Sequence, residues 1–81
     1  MTVVVLYGKP GCHLCEDARA AVEAVRSEHP FALREVDVST DPVLNRRYGA
    51  LIPVVEVDGE EAFHYRVDPA ELRERLDRVS S

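Results

Sequence analysis

TVVVLYGKPGCHLC, residues 2–15, is the stretch that decides the fold of this chain. Residues 2–7 are β-branched or apolar throughout, which predicts a strand buried on both faces. Residues 8–11, GKPG, end that strand. From Cys12 onward apolar residues recur at the spacing of an amphipathic helix that ends near residues 27–30; they are Cys15, Ala18, Val22 and Val25, with Leu14 and Ala21 widening the stripe. A Cys-x-x-Cys motif therefore lies at the junction of a strand and a helix.

Two Asp-Pro pairs mark the starts of two further helices. Asp41 and Asp68 each stand before a proline, and an N-cap aspartate followed by proline at the first helical position is typical of a helix start. The helix after Asp41 is short and is predicted to end at Gly49. The helix after Asp68 carries Leu72, Leu76 and Val79 on one face, and the i,i+4 pairs Glu71–Arg75, Arg73–Asp77 and Glu74–Arg78 on its solvated side.

Three more strands complete the pattern. Residues 32–38 form the second strand, and residues 52–57 and 62–67 form two strands around Asp58-Gly59. An Asp-Gly pair between β-like segments predicts a type I′ hairpin, because both central residues need a positive φ. The element order is βαβαββα, which predicts an α/β fold with a four-stranded mixed sheet flanked by helices, in a single domain over residues 1–81.

Composition narrows the classes of function. The 81 residues carry a net charge of −5, and the basic residues are interleaved with acidic ones, which argues against nucleic acid or anionic membranes as partners. The longest apolar run, residues 3–6, is far too short to cross a bilayer. No signal-peptide pattern is present, so we expect a cytoplasmic protein, and nothing in the sequence requires more than a monomer. In that compartment a close cysteine pair indicates catalysis or metal binding rather than a structural disulfide.

The spacing of Cys12 and Cys15 favours dithiol chemistry. Three residues apart on one helix face, their sulfurs can meet in a disulfide, and the N–H groups of the helix start stabilise a thiolate on Cys12. We expect Cys12 to attack a substrate disulfide and Cys15 to resolve the mixed disulfide. Lys9 and His13 flank the thiol and are candidate contacts to it and to substrate.

Metal binding is the main alternative interpretation of the cysteine pair. A structural zinc site needs four ligands, and no second cysteine pair or closely spaced histidine pair supplies the other two. His29 and His64 are single and far apart in the sequence. We therefore predict no metal site within one chain.

Two segments, LYGKPGCHLCE (residues 6–16) and YGALIPV (residues 48–54), resemble the small bacterial glutaredoxin-like proteins, and the resemblance covers essentially the whole chain. It implies a thioredoxin fold in which Pro53 is cis and lies beside the cysteines. It also implies that Pro53 and the Ile52 backbone form the platform for a peptide or glutathione. The implied activity is thiol–disulfide exchange on protein or small-molecule disulfides, without a bound cofactor. Glutathione and a thioredoxin-reductase-like enzyme are the candidate electron donors.

The departures from that family leave other roles open. His13-Leu14 stands where glutaredoxins usually have Pro-Tyr, Leu51-Ile52-Pro53 replaces Thr-Val-Pro, and residues 64–69, HYRVDP, replace a Gly-Gly and an acidic pair that hold glutathione. Some glutaredoxins share an iron–sulfur cluster between two chains, and other thioredoxin-fold modules only bind a partner. These two binding roles are the alternative to the enzyme.

Overall fold

The computed structural model describes residues 2–80 and confirms the predicted order of strands and helices. Its elements, in chain order, are β1 (Val3–Gly8), α1 (His13–Glu28), β2 (Ala32–Asp37), α2 (Pro42–Tyr48), β3 (Val54–Val57), β4 (Glu60–His64) and α3 (Pro69–Ser80). A 3₁₀ turn, Val38–Thr40, joins β2 to α2.

The four strands form one mixed sheet in the order β2-β1-β3-β4. β1 and β2 are parallel and are joined through α1, whereas β3 is antiparallel to both β1 and β4. Asp58 and Gly59 have φ values of 49° and 88°, as the predicted hairpin turn requires. The register places Tyr7 of β1 opposite Val54 of β3. The end of β1 that leads into the cysteine motif therefore lies beside the start of β3.

Two clusters of buried side chains lie on the two faces of the sheet, because successive residues of a strand point to opposite faces. The first cluster joins the sheet to α1 and α3 and contains Val4, Leu6, Ala18, Val22, Val25, Phe31, Val55, Val57, Leu72 and Leu76. The second lies toward α2 and contains Cys15, Val38, Tyr48, Ile52 and Val54, with Tyr7 and Cys12 packed against it. Both cysteines therefore belong to the smaller cluster.

The burial predicted for β1 is wrong in part. Val4 and Leu6 are buried, but Val3 and Val5 on the other face are only half-buried. Two apolar positions predicted to face the core are also substantially exposed: Leu14 at 41% and Val79 at 42%.

Strand and helix ends differ from the prediction at several points. β2 ends one residue early, β3 begins at Val54 after the proline, and β4 covers Glu60–His64 because the two-residue turn brings Glu60 opposite Val57. Gly49 has a φ of −56°, so it is not in the left-handed conformation of a helix-ending glycine. A Cβ at Gly49 would instead run into the carbonyl and side chain of Asn45, which explains the glycine by close approach.

Ion pairs on α3 are mostly directed to other elements. Of the predicted pairs, Glu74–Arg78 is present at 2.8 Å. Arg73 instead binds Glu28 of α1 at 2.7 Å, and Arg75 binds Glu60 of β4 at 3.3 Å. No helix in residues 2–80 combines the length and the apolar character that crossing a bilayer demands.

Candidate active site

Cys12 is the N-cap residue of α1. Its backbone is extended (φ −90°, ψ 115°), and its sulfur accepts a hydrogen bond from the N–H of Cys15 at 3.2 Å. The side chain is partly exposed. A thiolate formed there would lie at the positive end of the helix and would accept an N–H that the helix leaves without a partner. Cys12 therefore combines access for a substrate with stabilisation of an anionic sulfur.

Cys15 lies beneath Cys12 and is only 8% exposed. Burial, and next the hydrogen bond with Cys12, raise the pKa of the Cys15 thiol to about 11, while the backbone and ammonium group of Lys9 act in the opposite direction. Both cysteines are free thiols. The two sulfurs thus differ in access: Cys12 is partly exposed, whereas Cys15 is buried and its thiol is protonated at neutral pH.

Gly8 leaves room for the buried sulfur. A Cβ built on Gly8 would lie 3.1 Å from Cys15 Sγ and 3.2 Å from Cys15 Cβ, which is closer than side chains normally pack. Gly8 was not singled out in the sequence as a site residue. The close approach of Gly8 to Cys15 becomes visible only when α1 is packed against the end of β1.

The peptide bond between Ile52 and Pro53 is cis. Ile52 is buried in the cluster that contains Cys15, and Pro53 is fully buried. The N–H and C=O of Ile52 form no hydrogen bond with any other residue in the range 2–80. This leaves backbone groups available in the cluster against which Cys12 packs.

Lys9 and His13, the other two predicted site residues, lie at the periphery. Lys9 is exposed and lines a cleft of about 330 Å³ together with Cys15. The His13 side chain is 96% exposed, and its Nδ1 lies 3.8 Å from Oε2 of Glu16. The structure thus brings Lys9 near Cys15 and turns the ring of His13 toward a carboxylate on the solvated side of α1.

A tyrosine–carboxylate group next to the site was missed in the sequence. The hydroxyls of Tyr7 and Tyr48 donate to the two carboxylate oxygens of Glu56, at 2.8 and 3.2 Å, and the tyrosine rings stack with centroids 4.4 Å apart. Burial, then the Glu56 hydrogen bond, raise the pKa of Tyr7 to about 12. The available signal in the sequence was Glu56, the single acidic residue of the valine-rich β3. A partly buried carboxylate needs hydrogen-bond donors, and this predicts polar partners nearby.

Within the described range, 2–80, no three His, Cys, Asp or Glu side chains come close enough together to hold a metal ion.

Comparison with known proteins places these features in a family. A family model described as "Glutaredoxin-like domain (DUF836)" matches residues 3–77. An uncharacterized protein of Mycobacterium tuberculosis is 30% identical over an alignment 80 residues long, and the match covers 93% of this chain and 82% of that protein.

Solved structures agree with this placement. A structural-genomics target from X. campestris has a TM-score of 0.79 at 32% identity, covering 93% of this chain and 96% of the other. A Nitrosomonas europaea protein has a TM-score of 0.80 at 28% identity, covering 93% and 91%. A mutant thioredoxin from Halobacterium salinarum has a TM-score of 0.74 at 20% identity, covering 99% and 75%, and at that identity the likeness shows the fold alone. The fold is therefore a thioredoxin fold, as predicted.

Proposed function

This chain belongs to the glutaredoxin-like domain family, and we propose on that premise that it is a thiol–disulfide oxidoreductase that uses Cys12 and Cys15. The observation that carries the proposal is the bond from the Cys15 N–H to the Cys12 sulfur at the start of α1. It joins a partly exposed thiol, a helix N-terminus and a buried second thiol in one short segment.

In the first step, the Cys12 thiolate attacks one sulfur of a substrate disulfide. A bond forms between Cys12 Sγ and that sulfur, the substrate S–S bond breaks, and the other substrate sulfur leaves as a thiolate that takes a proton from water. The Cys15 N–H remains directed at the Cys12 sulfur, and the helix N-terminus favours the negative charge that reacts.

In the second step, Cys15 resolves the mixed disulfide. Its thiol loses a proton to solvent, and its sulfur attacks Cys12 Sγ and releases the second substrate thiolate. The substrate gains two electrons, and the protein becomes the Cys12–Cys15 disulfide. Burial raises the pKa of the Cys15 thiol to about 11 and keeps its sulfur out of direct reach of substrates.

Substrate backbone is expected to bind at Ile52 and Pro53. The Ile52 N–H and C=O have no hydrogen-bond partner in residues 2–80, and Ile52 lies in the cluster that contains Cys15. An extended peptide or glutathione can supply the missing partners, as backbone groups generally require. Lys9 and His13 are the proposed peripheral contacts.

The proposed substrates are protein or small-molecule disulfides, in a reducing compartment such as the cytoplasm. No bound cofactor is part of this mechanism. Glutathione or a thioredoxin-reductase-like flavoenzyme would return the Cys12–Cys15 disulfide to the dithiol. The asymmetric pair of thiols is suited to either donor.

Turnover with each donor tests the proposal. Reduction of a disulfide-bonded peptide is followed with NADPH and either glutathione plus glutathione reductase or a thioredoxin reductase. We expect turnover with at least one donor, none for Cys12→Ser, and unchanged turnover for Val43→Ser, whose side chain is 68% exposed on α2. No turnover with either donor would refute the proposal. Visible absorbance that Cys12→Ser abolishes would instead favour a cluster-binding role.

A further inference from the structure

Tyr65 has a backbone conformation that is unusual for its residue type. Its φ is +66°, and among the non-glycine residues of the range 2–80 only Asp58 shares a positive φ. Aspartate is tolerated in the left-handed region and Asp58 lies in a tight turn, but a bulky aromatic residue there is an outlier. Such conformations persist only where surrounding contacts enforce them, and they concentrate at functional sites.

Backbone hydrogen bonds from the Ile52–Pro53 loop hold Tyr65 in place. The Tyr65 N–H donates to the carbonyl of Pro53 at 2.9 Å and to the carbonyl of Leu51 at 3.3 Å. The ring of His64 packs edge-on against the Tyr65 ring at 4.9 Å between centroids. The position of Tyr65 is thereby fixed relative to the peptide bond that the proposed mechanism uses for substrate.

The Tyr65 side chain extends that site toward the cysteine motif. It is 45% exposed, and with Leu14, the residue before Cys15, it lines a groove of about 380 Å³ that we name the Leu14–Tyr65 groove. Ala18 and Val67 add apolar surface, while Asp17 and Arg66 bring one charge of each sign. Two large exposed apolar side chains therefore lie together in a groove that includes the interior of the Cys-x-x-Cys motif.

We infer that Tyr65 determines substrate specificity, with the Leu14–Tyr65 groove accepting an apolar side chain next to the cysteine that Cys12 attacks. This inference rests on the proposed function. Continuity with the motif through Leu14, and with the Ile52–Pro53 loop through Tyr65, places the groove where a bound peptide continues. The opposite charges of Asp17 and Arg66 give the groove no net charge, which suits a neutral side chain better than the two carboxylates of glutathione.

A single-turnover reaction tests the inference on the first step alone. The Cys15→Ser protein is mixed with disulfides of 2-nitro-5-thiobenzoate and one of three thiols: a blocked Leu-Cys dipeptide, a blocked Ser-Cys dipeptide, or glutathione. Cys12 attacks the disulfide sulfur contributed by the dipeptide or glutathione, and a Cys12–substrate S–S bond forms. The S–S bond to 2-nitro-5-thiobenzoate breaks, that group leaves as a coloured dianion, and the Cys12 proton passes to solvent. The rate of colour release measures how fast Cys12 reacts with each substrate.

We expect the Leu-Cys substrate to react roughly tenfold faster than the Ser-Cys substrate, the size of discrimination that an apolar pocket supports. Tyr65→Asn keeps a residue that tolerates a positive φ but removes the ring, and it should bring that ratio close to one. Leu14→Ser, at an exposed position, should do the same, whereas Tyr65→Phe should preserve the ratio.

The outcomes separate this inference from the proposed function. Equal Leu-Cys and Ser-Cys rates in the parent protein, a ratio that survives both Tyr65→Asn and Leu14→Ser, or fastest reaction with the glutathione adduct would each overturn the inference. Colour release no faster than that of the protein carrying both Cys12→Ser and Cys15→Ser, for all three substrates, would overturn the proposed function with it.

Discussion

The sulfur of Cys12 accepts a hydrogen bond from the backbone N–H of Cys15, with 3.2 Å between the two atoms. The residue proposed to resolve the mixed disulfide thus also stabilises the sulfur proposed to form it. Because this donor is a backbone group, substitution of the Cys15 side chain should leave it in place. The chemistry of the two cysteines can therefore be separated by mutation.

Cys15→Ser is expected to accumulate a mixed disulfide on Cys12. The variant keeps the partly exposed Cys12 thiol and loses the only thiol placed to attack the adduct within residues 2–80. Mass spectrometry of the non-reduced protein after mixing with a disulfide-bonded peptide should show one adduct per chain. Cys12→Ser is the matched control and should show almost none, because Cys15 is buried. An equal adduct on both variants would contradict the assignment of roles.

Resolution of the mixed disulfide should accelerate with pH. The reacting form of Cys15 is the thiolate, and its pKa is raised to about 11, chiefly by burial, a cause that persists when Cys12 is in the adduct. Below that pKa the thiolate fraction grows about tenfold per pH unit, so the rate should rise by about that factor from neutral pH upward.

A pH-jump experiment measures this dependence. The Cys12 adduct is formed with the reduced protein at low pH, where resolution is slow, and is then mixed with buffers of increasing pH while thiol release is recorded. The first step, measured separately in Cys15→Ser, provides the control for effects on Cys12. A resolution rate that is independent of pH above neutrality would show that the Cys15 thiol does not limit the step.

Gly8→Ala should slow resolution selectively. Gly8 does not have a positive φ, so alanine is allowed by the backbone, but its Cβ would lie 3.1 Å from Cys15 Sγ. The sulfur must shift by a few tenths of an ångström. Because misplacement of a reacting atom slows its reaction, we expect the resolution rate to fall about tenfold. Stopped-flow kinetics measure both the attack by Cys12 and the resolution by Cys15 in this variant, and the rate of the first step serves as the internal reference. Equal slowing of the first step, or unchanged resolution, would argue against this role for Gly8.

Glu56→Ala should destabilise the fold by removing the acceptor that the Tyr7 and Tyr48 hydroxyls share. The change leaves the half-buried Tyr7 hydroxyl and the buried Tyr48 hydroxyl without their shared acceptor, at a cost of about 1–3 kcal/mol for an unsatisfied buried group. Urea denaturation measures the free energy of unfolding. Tyr65→Phe is the control, since the Tyr65 hydroxyl forms no hydrogen bond within residues 2–80. A Glu56→Ala protein as stable as that control would show that the three groups contribute no net stability.

Much of the fold was predictable because its signals are local. Asp41 accepts hydrogen bonds from the N–H groups of Val43 and Leu44, as an N-cap aspartate does, and the Asp58-Gly59 turn has the two positive φ values expected of it. The cysteine pair was predictable for the same reason, since the helix that follows Cys12 sets the spacing of both sulfurs.

Contacts between distant segments were not predictable in this way. The carboxylate of Glu56 meets Tyr7 across β1 and β3, and Arg73 pairs with Glu28 of another helix instead of with Asp77. Each depends on which long side chains the packed elements bring together, and the sequence spacing of charges along one helix carries no such information.

The sequence by itself determined the βαβαββα order, the hairpin turn and the two cysteines at the head of α1, because propensity, capping and apolar periodicity act over a few residues. The tertiary structure decided that Cys15 packs closely against Gly8, and that the carbonyls of Leu51 and Pro53 hold Tyr65 at a positive φ beside the motif. These features arise only when the sheet brings the ends of β1, β3 and β4 together, since each joins groups that are far apart along the chain and become neighbours on folding.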